Sequence, residues 1–145
     1  MISTVARHSG TALYPLHPLH AFVLAGIVPL FLGVLLNDYA YWSSYEPQWK
    51  NFASWMLIGA LVFNGLALLG SIISLVRVER RTGAALVYFL LLLATFVLGV
   101  INSLIHAKDV WASMPTGLVL SVITVILACA ATWIGLASWR IGGAR

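Results

Sequence analysis

Charge is what this sequence has least of. Only 8% of its 145 residues are Asp, Glu, Lys or Arg, and none falls inside four apolar blocks, 22–37, 52–76, 84–105 and 117–138. Soluble domains carry charge on about a quarter of their residues, so this composition excludes one. Cysteine is almost as scarce. The lone Cys129 rules out an internal disulfide and a C-x-x-C redox or metal motif. With Ala128 and Ala130 beside it, it reads as a small packing residue. No Gly-rich phosphate loop, no G-x-S-x-G and no H-E-x-x-H occurs, so no catalytic motif supports an enzyme. The basic surplus has no aromatic-studded groove around it, which argues against nucleic acid as a partner.

What the chain has in abundance is apolar length. Hydrophobic residues make up 61% of it. Backbone N–H and C=O groups in hydrocarbon must bond within their own segment, so each block should cross the bilayer as an α-helix. The chain therefore reads as an all-α integral membrane four-helix bundle, one domain, with spans near 21–42, 52–76, 84–105 and 116–139. The first block alone is short for a core about 30 Å thick. It reaches full length only if extended through Tyr39, Tyr41 and Trp42, rings suited to the membrane interface. Pro29 should kink this first helix. No small-x-small cleavage pattern follows Leu36, so the helix is expected to be retained.

Placement of the charges predicts orientation. Arg7, Arg77, Arg80, Arg81, Arg140 and Arg145, with Glu79, lie at one set of helix ends; Lys50 and Lys108 face Asp38, Glu46 and Asp109 at the other. The positive-inside rule then gives an N-in, C-in topology. Phospholipid head groups are the expected partner of the basic side. The 77–83 loop is short, making the second and third helices antiparallel neighbours. The link at 38–51 reads as the longest, and Tyr39, Tyr41, Trp42, Tyr45 and Trp49 crowd it. That aromatic set is either an interfacial layer or a docking platform for a periplasmic partner or a quinone head. Between helices, Thr95-x-x-x-Gly99 and Ala131-x-x-x-Gly135 offer close packing, and Asn64 and Asn102 offer interhelical hydrogen bonds.

Two groups of residues carry the remaining chemistry. His17 and His20 sit three apart at the start of the first helix, a spacing that puts both on one face for metal or haem. At the opposite membrane face, Asp38, His106 and Asp109 gather, with Trp42 and Trp111 near them. Asp38 ends one helix and His106 another, so the two meet if those helices are neighbours. A carboxylate beside an imidazole sets its tautomer and can move protons; ion-paired helix ends are the plainer reading. His20 and His106 lie a membrane thickness apart and cannot bracket one haem b in a single chain, although a homo-oligomer could supply the second ligand.

Several short pieces, in this order, resemble the bacterial four-helix membrane family known as domain of unknown function number 2231. They are His17-Pro18-Leu19-His20, Asn37-Asp38, Tyr41-Trp42, Ala53-Ser54-Trp55, Asn102-Ser103-Leu104-Ile105-His106-Ala107-Lys108-Asp109 and Pro115-Thr116-Gly117-Leu118-Val119-Leu120-Ser121. The chain departs from the family pattern at Ala21, where Pro is common, and at Lys108, where Arg is common. The resemblance implies a bacterial inner-membrane protein, and some relatives resemble partners of periplasmic dehydrogenases or cytochromes. It implies no reaction. The function expected is a non-catalytic accessory or anchor subunit for a periplasmic or membrane redox partner, and the alternative is a redox module binding haem b or quinone. A transporter is disfavoured, since no ionisable side chain falls at mid-membrane.

Overall fold

The computed structural model describes residues 18–76, 83–108 and 110–141. In it the four blocks are four helices: α1 (Pro18–Ser44), α2 (Pro47–Val76), α3 (Gly83–His106) and α4 (Thr116–Ile141), with a 3-10 turn at Val110–Ala112. The described residues contain no strand. Even the shortest helix, α3 with 24 residues, is about 36 Å long at 1.5 Å per residue. All four are long and apolar enough to cross a membrane. Leu36, Ile58, Leu90 and Ile126 typify the exposed apolar surface, which in a bilayer contacts lipid.

Each helix packs against two others, α1 on α2, α2 on α3, α3 on α4, and α4 back on α1. With short links the neighbours run antiparallel. Consequently α1 and α3 run in the same direction on opposite sides of the bundle axis. The buried positions recur at three- and four-residue steps, as one helical face requires. On α2 they are Lys50, Ala53, Leu57, Ala60, Asn64, Ala67 and Ser71. Midway along the bundle, Leu24, Ile27, Phe31, Leu57 and Leu92 fill the core against Ala60, Ala67, Ala128 and Ala131. Because lipid competes for large apolar side chains, closeness comes from the small residues. A Cβ on Gly99 would lie 2.9 Å from Leu61 Cδ2, and one on Gly135 would lie 2.8 Å from Tyr88 Cε2.

Two expectations change. The 38–51 segment is not a long link: α1 continues to Ser44, α2 starts at Pro47, and only Tyr45 and Glu46 connect them. Burial explains the extension, since Asp38 is 0% and Tyr41 1% exposed, so the inward stripe of α1 does not end at Asn37. The stop is local. Tyr45 adopts φ 55° while its N–H still bonds Tyr41 O at 2.7 Å, a helix-ending conformation, and Pro47 suits the first turn of the next helix. Second, Cys129 is exposed rather than packed. Ala128 and Ala131 hold the buried stripe of α4, and the residue between them turns toward lipid. Pro29 lies within α1, on its exposed side. The arginines at 77, 80 and 81 lie outside the described residues, and no side chain is described at Arg140.

The glycine contact yields a test. Gly135→Val should lower stability in detergent by about 1–3 kcal/mol through overpacking against Tyr88, whereas Cys129→Leu on the lipid face should leave it unchanged. Thermal unfolding followed by circular dichroism measures both.

Candidate functional site

Four of the polar side chains that the bundle buries meet at one end. Asp38, Asn102 and Ser121 are each 0% exposed and His106 is 6% exposed. Helix geometry delivers them. Asp38 lies six residues before the end of α1 on its inward stripe, and Asn102 and His106 are four apart on the inward face of α3. Ser121 follows Gly117 by four on α4. Gly117 lets His106 approach, because a Cβ there would stand 3.3 Å from the imidazole Cε1.

These four residues form a closed ring of hydrogen bonds. Asn102 Nδ2 donates to Ser121 Oγ at 2.9 Å, and Ser121 Oγ donates to Asp38 Oδ2. Asp38 Oδ1 lies 2.7 Å from His106 Nε2, and His106 Nδ1 closes the ring on Asn102 O at 2.9 Å. A carbonyl can only accept, so Nδ1 carries a proton there. One further proton joins Asp38 Oδ1 and Nε2, and the pair is neutral overall whichever atom holds it. That neutrality makes the cluster tolerable away from water. Three of the four helices are tied by the ring, and Lys50 brings in the fourth: its Nζ donates to Lys108 O, just past α3, at 2.7 Å.

This geometry decides against several chemistries. Ser121 is paired with the carboxylate and not with the imidazole, so the Ser–His pair of a nucleophilic triad is not formed. Both ring nitrogens of His106 are engaged, which leaves no lone pair for a metal or haem. Among the described residues no group of three His, Cys, Asp or Glu side chains could hold a metal ion.

Of the residues singled out from sequence, Asp38 and His106 are in direct contact, though across the bundle axis and not between neighbouring helices. Asp38 is not a hydrated interfacial acid. Asp109 and His17 lie outside the described residues. His20 is at the other end. The 18 residues separating it from Asp38 along α1 span about 27 Å. There its Nε2 lies 3.3 Å from Tyr88 Oη. Trp42 and Trp111 meet through a third ring: Tyr45 stacks on Trp111 at 5.4 Å and 22°, and Trp42 lies 6.4 Å from Tyr45. Nothing in the sequence alone marks Ser121 or Lys50 as site residues, whereas Asn102 makes the interhelical bond expected of it, to Ser121 on α4. The i, i+4 spacing of Asn102 and His106 was the available signal; no local feature distinguishes Ser121 from other hydroxyls.

A family model described as "Predicted membrane protein (DUF2231)" matches residues 16–143. The chain belongs to this family. All four ring residues fall within the matched span. Comparison with curated proteins and with solved structures finds no match.

Removing a member of the ring strands the partner it leaves behind. His106→Ala and Ser121→Ala should each cost about 1–3 kcal/mol. Leu104→Ala, on the 64% exposed face two residues from His106, should change stability by less than about 0.5 kcal/mol. Unfolding in mixed micelles distinguishes them.

Proposed function

We propose that the protein is a non-catalytic accessory or anchor subunit of a bacterial inner membrane, presenting its His106 end to a periplasmic or membrane redox partner. The observation that carries this reading is the aromatic ledge at that end. Trp111 is 73% exposed yet stacked on Tyr45, and Trp42 adjoins them. An interfacial belt needs aromatic rings at the right depth but not a fixed order among them. A docking surface needs rigid, large, amphipathic side chains, and exposed Trp and Tyr dominate binding energy where they become buried. Rigidity comes from beneath: the polar ring holds α1, α3 and α4, and Lys50 holds the start of the link that carries Trp111. The redox character of the partner rests on the family resemblance, and the N-in, C-in orientation on the arginine distribution.

The second reading, a redox module binding haem b or quinone, is favoured by one observation. His20 and Tyr88 place a ring nitrogen and a phenol 3.3 Å apart near a helix end, a pair able to face a quinone carbonyl. A Soret band in protein purified from native membranes, lost on His20→Ala, would favour this reading over the first.

Two measurements test the anchor reading. Trp111→Ala with Trp42→Ala should abolish co-purification of a partner protein while the melting midpoint stays within the wild-type error. Recovery of only a second copy of the chain would redirect the reading to a homo-oligomer. For orientation, a cysteine at exposed Ser44, on a Cys129→Ala background, should react with a periplasmic impermeant thiol reagent, and one at position 82 should not. The reverse pattern inverts the topology.

A further inference from the structure

The ring leaves one of its own atoms unused. Asn102 Oδ1 is buried and without a hydrogen-bond partner, on the same amide whose Nδ2 donates to Ser121 Oγ at 2.9 Å. Such an idle acceptor is unfavourable in an apolar interior. It also completes an alternative. The two ends of an amide group are nearly equal in size and opposite in hydrogen-bonding sense. A half-turn of the Asn102 amide puts Oδ1 where Nδ2 now meets Ser121. The Ser121 hydroxyl proton can then turn from Asp38 to Asn102, leaving the hydroxyl oxygen free to accept from Asp38 Oδ2. Only a carboxyl that has gained a proton on Oδ2 can donate there. The two arrangements contain the same number of hydrogen bonds.

We propose that the Asp38–His106–Asn102–Ser121 ring is a proton-binding site with two hydrogen-bonded arrangements, the Asn102 amide being the switch between them. One proton from water binds Asp38 Oδ2, no heavy-atom bond forms or breaks, and the ring passes from neutral to a single positive charge carried by the His106 imidazolium. The groups that face it are few. α1 supplies Asp38 and, one turn on, the buried Tyr41; α3 supplies His106; α4 supplies Ser121 and no titratable group. From α2 comes Lys50, whose ammonium is within electrostatic reach of His106 and opposes the added charge. This inference does not depend on a docking partner.

The test is infrared and 15N NMR titration of the full-length protein in lipid nanodiscs. Acid should bring up the carbonyl band of a protonated carboxylic acid, absent in Asp38→Asn, before circular dichroism reports any loss of helix. Asn102→Leu removes its bond to Ser121 from both arrangements, but only in the protonated one does that leave a buried hydroxyl proton without an acceptor, so the midpoint should fall. Lys50→Met removes an opposing charge and should raise it. Asn64→Leu, on α2 and outside the ring, should not move it. If Asp38→Asn does not fold, the wild-type imidazole decides: His106 keeping both N–H protons as the carbonyl band rises supports the proposal. Loss of the Nε2 proton at that point means transfer within the pair and overturns it. So does an Asn102→Leu midpoint equal to the wild type, or the absence of the band up to unfolding.

Discussion

The structure depends on one buried contact, the 2.7 Å bond between Asp38 Oδ1 and His106 Nε2. Elsewhere the four helices meet mainly through apolar and small side chains, with Asn64 to Leu92 O and His20 to Tyr88 as further polar contacts, and in lipid the apolar surfaces give little reason for one helix register over another. A carboxylate and an imidazole are different. Neither tolerates hydrocarbon alone, and together they form a neutral pair whose remaining lone pairs and protons are met by Ser121 and Asn102. A helix slipped by one turn would strand them. The ring therefore sets the register of α1, α3 and α4 in a way that Leu92 or Phe31 cannot.

The same contact positions what lies above it. Asp38 continues the inward stripe of α1 past the apolar block, and this keeps the helix intact through Tyr41 to Ser44. Tyr45 is thereby placed against Trp111, which the following link carries. Lys50 reaches the Lys108 carbonyl at the head of that link, so the aromatic ledge is built on backbone that the buried polar groups restrain.

Much of the fold was legible because hydrocarbon imposes a simple rule: long uncharged runs must be helices. Each of the four blocks lies within one of the four helices. Asp38 misled at the end of α1, since a charge after an apolar run ordinarily marks the membrane surface, and only a partner 68 residues away made its burial acceptable. Cys129 misled for a related reason: on an all-apolar helix such as α4, composition does not say which face looks inward. His106 and Asn102 were visible as a pair on one helical face, whereas Ser121 becomes part of the site only through tertiary contact. Asp38 and His106 were expected to meet between neighbours and do so across the axis, a distinction that sequence spacing does not encode.

The most direct test of this account is a double-mutant cycle on Asp38 and His106, using Asp38→Ala, His106→Ala and the double variant in a reversible micellar unfolding assay. If the bond holds the bundle end together, the double variant should cost clearly less than the two single variants summed, with a coupling of about 0.5–3 kcal/mol. Single costs that simply add, with coupling near zero, would mean that the two side chains contribute independently and that the ring does not set the register of the helices.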